Sequence, residues 1–129
     1  MKATPRSRRS RSLLAALMFV VGGLALPQTA TADDEGVSGR VTRLRINTPG
    51  SEQHPSFLGA ITIKQPSSGD MYEYRWGGSS CPGQKLTEAQ IDVLLTAFVQ
   101  RNRTLVTPRY TMGEGVSTRC LVAFELAAG

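Results

Sequence analysis

The sequence predicts a mainly β domain with one helix, in the order β-β-β-α-β-β. Three observations predict it. One stretch has helical spacing of apolar residues behind a capping signal, five others have strand-like apolar patterns, and turns rich in Gly and Pro separate them. About 97 residues follow the leader described below, enough for one domain and too few for two. We therefore expect residues 33–129 to form a single small β-barrel domain.

The first 32 residues have the composition of a signal peptide that is cleaved. A basic n-region precedes the apolar stretch Leu13 to Leu26, and Ala30-Thr31-Ala32 provides the small residues of a cleavage site. As a helix the apolar stretch is ~21 Å long, shorter than a ~30 Å hydrocarbon core, which favours cleavage over a retained anchor. We expect a secreted or periplasmic protein with no stable membrane insertion after cleavage.

The basic character of the chain comes from this leader. The leader holds five of the 15 basic residues and none of the 10 acidic ones, so residues 33–129 carry ten of each. The domain has no formal net charge, and the charge balance gives no argument for nucleic acid or an anionic membrane as a partner.

Three strands are expected before the helix, at residues 37–47, 57–64 and 71–76. In the first strand the apolar positions change side between Val41 and Leu44, a one-residue slip that indicates a β-bulge or a strong bend. The segment Asn47 to Ser56 contains Pro-Gly and His-Pro and is expected to be a loop.

The helix is expected at residues 88–102. Thr87 and Gln90 have capping-box spacing, and Leu86 with Ile91 forms the matching hydrophobic staple. Arg101 and Arg103 are expected in its last turn. The apolar stripe that should face the core consists of Ile91, Leu94, Leu95, Phe98 and Val99.

Two strands are expected after the helix. The first spans residues 105–110, with Pro108 marking an edge position. The second spans residues 116–126, where one side of the strand would carry Val116, Thr118, Cys120, Val122, Phe124 and Leu126.

The two cysteines, Cys81 and Cys120, predict a structural disulfide in an oxidising compartment. A redox or metal role is the alternative. Against that role, the chain has no Cys-x-x-Cys pair, and its one histidine, His54, lies in a loop. We expect no metal site and no cofactor.

The predicted barrel, with a long bent first strand and a helix between the third and fourth strands, has the OB-fold arrangement. Four segments carry a resemblance to a known family: Gly-Val-Ser-Gly-Arg-Val at 36–41, the helix at 91–97, the strand at 105–107 and the ending at 122–126. Over residues 36–127 the chain resembles the pentameric B subunits of bacterial AB-type toxins, which are small, secreted and disulfide-bonded. The resemblance implies an OB-fold, carbohydrate binding and pentamer formation.

No catalytic sequence motif is present. The chain lacks Gly-x-Ser-x-Gly, His-Glu-x-x-His, a phosphate-binding glycine loop and an Asp-x-Asp calcium loop. A pair of carboxylates could still hydrolyse a glycoside, but no pair is singled out among the ten acids, and Asp33 to Glu35 are expected to fray. We expect a protein that is not an enzyme.

Three aromatic residues share one face of the third strand: Tyr72, Tyr74 and Trp76. Such a row can stack on a sugar or a peptide, and it is also what a core-facing strand looks like. Trp76, beside Gly77 and near the strand end, is expected to be partly exposed.

Arginines cluster on the first strand at Arg40, Arg43 and Arg45. The cluster could meet an acidic partner, or it could be a solvated strand face balanced by Glu73 or Glu125 across the sheet.

The sequence thus predicts a non-catalytic secreted or periplasmic module that binds a glycan or a protein. One alternative is a structural subunit of a homo-oligomer, packed through the helix residues Ala89, Val93 and Ala97. The other is an inhibitor of a secreted hydrolase, with the loop 47–56 as its inserting element.

Overall fold

A computed structural model describes residues 33–129, and the predicted signal peptide lies outside the described residues. These residues form six strands and one helix, which confirms a mainly β fold with one helix. The elements are β1 (Asp34–Glu35), β2 (Arg40–Ile46), β3 (Gly59–Lys64), β4 (Met71–Trp76), α1 (Glu88–Val99), β5 (Thr104–Met112) and β6 (Arg119–Ala128). The sequence pattern missed β1, which is two residues long.

The strands of the described region form one six-stranded sheet in the order β1-β5-β6-β4-β3-β2. Neighbours are antiparallel except β4 and β6, which are parallel and pair only at Arg75 and Cys120. The sheet is not closed, because β1 and β2 are its two ends. One isolated bridge joins Gly39, just before β2, to Val106 in β5. The predicted closed five-stranded barrel is therefore not confirmed.

The predicted bulge in the first strand is confirmed. The pairing of β2 with β3 shifts register between Val41 and Arg43, so Thr42 is the extra residue. Val41 and Leu44 both pair with inward-facing isoleucines of β3, although an unbroken alternation would place them on opposite faces.

The core lies between the inner face of the sheet and the helix. Its buried residues come from β2, β3, β4, α1, β5 and β6: Val41, Ile61, Ile63, Tyr74, Trp76, Leu94, Ala97, Val106 and Leu121. The backbone of Gly59 runs directly against the Trp76 ring, where a β-carbon would overlap the indole. A side chain at this position is excluded by contact with the largest core residue.

The helix begins as predicted and ends earlier. The capping box is present: the Thr87 hydroxyl accepts from the Gln90 amide (3.2 Å), and the Gln90 side chain accepts from the Thr87 amide (2.8 Å). The helix ends at Val99, so Arg101 and Arg103 follow it, and their prediction in the last turn is wrong.

The helix also presents a different face from the predicted one. Leu94 and Ala97 are buried, whereas Leu95 is half-exposed and Val99 is 68% exposed. The apolar residues cover more of the helix surface than the sheet covers, and periodicity does not say which flank is left out. The small Ala97 side chain allows the helix backbone to approach the core closely, so the predicted stripe is wrong in Leu95 and Val99.

The last two strands differ from their predicted pattern in two ways. The pairing of β5 with β6 shifts register between Arg109 and Tyr110, which moves Leu121 into the core. Val116 precedes β6 and is fully exposed, so the single unbroken alternation over 116–126 is wrong.

Pro108 is not on an edge strand, because β5 lies between β1 and β6. Its carbonyl accepts from the Gly36 amide (2.7 Å), so its ring nitrogen faces the connection between β1 and β2 and not β6. The missing N–H therefore costs the β5–β6 ladder nothing.

The predicted disulfide is confirmed. Cys81 and Cys120 are bonded and buried, and the bond joins the segment after β4 to the start of β6. It lies at the one paired position of the parallel β4–β6 junction. Within residues 33–129 no helix has the length and apolarity that crossing a membrane requires.

Candidate functional site

The side of the sheet facing away from the core, over β2, β3 and β4, carries a dense set of charged and polar side chains. Directly paired residues of antiparallel strands point to the same side. Arg43, Thr62 and Glu73 form one cross-strand row on this side, and Arg45, Ala60 and Arg75 form the next. A third row consists of Arg40, Lys64 and Met71. We call these nine residues the outer face.

The bulge explains why the three arginines of β2 lie together. In a strand whose alternation ran unbroken through Thr42, Arg40 would lie on the opposite side from Arg43 and Arg45. The clustering predicted from the phase slip is therefore confirmed.

Charge is segregated onto the outer face. It holds five of the ten basic residues of the described region, but only one of the ten acids, Glu73. Glu73 bonds to Arg75 (Oε1 to Nε, 2.6 Å) and not to the arginines of β2. Across residues 33–129, no ion pair involves Arg40, Arg43 or Arg45. The predicted balancing of this cluster by Glu73 or Glu125 is wrong.

Arg75 is held in place from two sides. In addition to its bond with Glu73, its guanidinium carbon lies 4.4 Å from the centroid of the buried Phe57 ring. A cation over an aromatic face is attracted by the ring quadrupole, and the ring restricts the side chain.

Arg119, at the start of β6, is held in a similar way by two tyrosines. Its guanidinium carbon lies 5.5 Å from the Tyr72 ring centroid and 5.9 Å from that of Tyr110. Tyr72 thus orients a cation at the surface.

Two depressions of about 410 Å³ each cross this part of the molecule. One, the cleft, lies where β4 and β6 diverge from their single paired position, and it is lined by Glu73, Arg75, Ser117, Thr118 and Arg119. The other, the groove, is lined by Thr42, Arg43, Thr62, Met71 and Glu73. Glu73 lines both, so the two depressions are neighbours.

The predicted aromatic platform is mostly core. Tyr74 and Trp76 are each 1% exposed, and Tyr72 is half-buried. The expected exposure of Trp76 is wrong, because the close approach of Gly59 covers its ring. Burial raises the pKa of the Tyr74 hydroxyl. Two of the three predicted stacking residues are therefore inaccessible to a sugar.

Only part of the helix surface predicted for oligomer contacts is exposed. Ala89 and Val93 are exposed, but Ala97 is buried in the core and unavailable to a partner. The assumption that the small residues share an outer face failed because the helix is rotated relative to its predicted stripe. Val93 and Ala89 remain candidates for an interface.

The loop 47–56 is ordered by its own hydrogen bonds. The Asn47 side chain donates to the Phe57 carbonyl (2.8 Å), and successive turns bond Ser51 to Thr48 and His54 to Ser51. Arg45 also donates to the Gln53 side chain (2.8 Å). The loop is held without a cysteine.

The start of the domain is bonded to β5. Arg109 donates to both carboxylate oxygens of Asp33 (2.9 and 3.3 Å) and approaches Glu35 at 3.5 Å. These hydrogen bonds from Arg109 lower the pKa of Asp33. Residues 33–35, for which the sequence favours a frayed start, are thus bonded to β5 in the structure. No group of His, Cys, Asp or Glu side chains within residues 33–129 is arranged to hold a metal ion.

Sequence reasoning missed Arg75 and Arg119 as site residues. One signal was present: Glu73 and Arg75 alternate with the aromatics of β4, so they had to lie on the other face. The register that places them beside Arg43 was not readable, because the turn at 65–70 does not fix it.

No protein-family model, curated protein or solved structure matches this chain.

Proposed function

We propose that this protein is an exported, non-catalytic binding module whose outer face binds an acidic segment of a partner protein. The observation that carries the proposal is the charge segregation. Five basic residues and one acid share the outer face of a domain that has no net charge. Arginine is suited to carboxylates because its planar fork donates two parallel hydrogen bonds to them.

The composition of the site favours a protein over a glycan. Protein interfaces are enriched in arginine and methionine and depleted in lysine and acidic residues. The outer face carries four arginines, one lysine and one acid, and Met71 is 67% exposed in the groove. A sugar-binding surface would present exposed aromatic rings, but Tyr74 and Trp76 are in the core.

Arg75, which belongs to both the outer face and the cleft, is oriented before any ligand binds. It is fixed by its bond to Glu73 and by the Phe57 ring. Side chains that are already ordered lose less conformational entropy on binding, which increases affinity. This preorganisation supports a binding role for the cleft and not merely a solvated surface.

The same proposal includes the OB-fold architecture and export. The strand order β5-β6-β4-β3-β2 and the bridge between Gly39 and Val106 support a partly open five-stranded barrel to which β1 is added. The buried disulfide is of the kind that persists in the periplasm or outside the cell. A leader with the composition of residues 1–32 accounts for delivery there.

The test uses the oxidised protein 33–129 and fluorescent peptides, with binding read by anisotropy. We expect a peptide alternating Glu with Leu to bind, and its Gln-for-Glu counterpart to bind at least tenfold more weakly. Affinity should fall as salt increases, since exposed charges are screened. Arg43→Ala and Arg75→Ala should each weaken binding by about tenfold, as loss of one charge-assisted contact predicts.

Lys85→Ala is the matched control, because Lys85 is exposed and lines neither the cleft nor the groove. It should bind the acidic peptide as the wild type does. Equal affinity for the acidic and neutral peptides would contradict the proposal. Tighter binding to an acidic polysaccharide on a glycan array, lost in the same arginine variants, would assign the face to a glycan instead.

A further inference from the structure

A third depression, of about 330 Å³, lies at the end of the outer face next to the groove. It is formed by β2, the end of β3 with the following turn, and the segment after α1. Its lining residues are Arg40, Thr42, Lys64, Pro66, Arg101 and Asn102. We call it the cationic pocket. Thr42 lines both this pocket and the groove, so the two are neighbours.

Three cationic residues line the cationic pocket. Arg40 and Lys64 are directly opposite each other in the β2–β3 ladder, an arrangement of like charges that is destabilising. Arg101 supplies the third cation from the other side of the pocket. The fold therefore brings together charges that repel one another.

No acidic side chain compensates for this repulsion. Among the described residues, no carboxylate forms an ion pair with Arg40, Lys64 or Arg101, and the pocket lining contains no acid. The leader cannot supply one, because residues 1–32 contain neither Asp nor Glu. The missing counter-charge points to a ligand.

Arg101 is positioned by Phe98, which lies in the last turn of α1. Its guanidinium carbon lies 5.4 Å from the Phe98 ring centroid, and its Nη1 donates to the Phe98 carbonyl (3.4 Å). Arg40 is half-buried at the opposite wall. Asn102 adds an amide that can donate to an oxygen. Donors thus surround the pocket on more than one side.

We infer that the cationic pocket binds a tetrahedral oxyanion, a phosphate or sulfate group, through Arg40, Lys64 and Arg101. A phosphate group carries about −1.5 to −2 charges and several strong acceptor oxygens, which matches three cations better than a planar carboxylate with one charge. The inference goes beyond the proposed function, because the pocket binds its anion whether or not the outer face binds a protein.

The test measures thermal unfolding of the oxidised protein at constant ionic strength, with chloride replaced stepwise by phosphate or sulfate. Either anion should raise the Tm of the wild type, because a ligand specific for the folded state stabilises it. Lys64→Gln should raise the Tm without phosphate, since it removes the charge facing Arg40. The same variant should weaken phosphate binding by about tenfold.

The two effects of Lys64→Gln, a higher Tm without phosphate and weaker phosphate binding, distinguish a ligand site from a structural role. If Lys64 only stabilised the fold, replacing it would lower the Tm. Arg40→Gln should behave as Lys64→Gln does. Lys85→Gln makes the same change at an exposed lysine outside the pocket, and should alter neither the Tm nor the phosphate response. An undiminished phosphate response in both pocket variants would overturn the site, as would an equal response of the wild type to acetate.

Two sources of the anion are distinguished by titrating inorganic phosphate and O-phospho-L-serine. Equal affinity for the two supports a pocket that accepts an ester carried by a larger molecule. A preference for the free ion supports an inorganic phosphate site. Loss of peptide binding to the outer face would leave either result unchanged, so the two proposals fail independently.

Discussion

Gly59 is a residue at which one added carbon should disturb the core. A methyl group there would overlap the Trp76 ring and approach the Arg45 carbonyl oxygen to 2.7 Å. Because Trp76 is buried on all sides, it cannot move away without disturbing its neighbours. We expect Gly59→Ala to lower the free energy of unfolding by about 1–3 kcal/mol, as overpacking does, when measured by urea denaturation.

Gly50→Ala provides the matched control. A β-carbon at Gly50 meets nothing within 4 Å, and its backbone does not have a positive φ. Its effect should stay within about 0.5 kcal/mol, as for other surface changes. Equal effects of the two variants would show that Trp76 is not packed against Gly59.

At the residue scale, the sequence predicted types of residue better than their exposure. The alternation of Tyr72, Tyr74 and Trp76 correctly placed them on one face, but whether that face is covered depends on Gly59, which lies on a different strand. Pairing partners distant in sequence decide exposure, and nothing in the local pattern encodes them.

The helix start offers a test at the scale of the element. Thr87→Ala removes the acceptor of the Gln90 amide and one half of the capping box. The free energy of unfolding should fall by about 1 kcal/mol. Denaturant curves with near-UV circular dichroism measure it.

Thr96→Ala makes the same chemical change in the interior of that helix. Thr96 is exposed, and its hydroxyl donates to the Asp92 carbonyl (3.0 Å), a bond that does not help the helix. Alanine is the better helix former, so this variant should be neutral or slightly stabilising. A loss at Thr96 as large as that at Thr87 would contradict a specific role for the cap.

The start of the helix and the position of the bulge could be predicted from local sequence. Which face of the helix is buried could not. The capping box fixed the start of α1, and the phase slip located the bulge of β2 within a residue or two. The rotation of α1, by contrast, depends on how the small Ala97 fits against the sheet. This is a tertiary property that hydrophobic spacing does not contain.

At the scale of the whole molecule, the disulfide is expected to contribute a large share of the stability. The bonded cysteines are separated by 39 residues, and the chain-entropy relation gives about 4 kcal/mol for a loop of that size. A domain of this size has ~5–10 kcal/mol in total. The double variant Cys81→Ala/Cys120→Ala should have a lower free energy of unfolding, by most of the disulfide's contribution, when measured by urea denaturation.

Reduction of the wild type with dithiothreitol controls for the changed side chains, because it breaks the same link and leaves both cysteines in place. Its loss of stability should match that of the double variant. If neither treatment lowered the urea midpoint, the bond would not be constraining the unfolded chain.

The class of the fold, mainly β with one helix, could be predicted from the sequence. Whether the sheet closes into a barrel could not. Local patterns identified the helix and all strands except the two-residue β1, but the single β4–β6 pairing and the bridge at Gly39 depend on contacts between distant parts of the chain. The charge segregation was hidden for the same reason. A count of charges gives zero, and only the cross-strand register shows that the cations share one face.

The disulfide joins the two walls of the cleft. The cleft has one wall on β4 and the other at the start of β6, and the two strands meet at Arg75 and Cys120 alone. In the reduced chain the walls are joined only by non-covalent contacts, among them that pair and the hydrogen bond from the Glu114 amide to the Ser80 carbonyl (2.9 Å). If the cleft binds an acidic segment as proposed, we expect the reduced protein to bind that segment more weakly than the oxidised protein does.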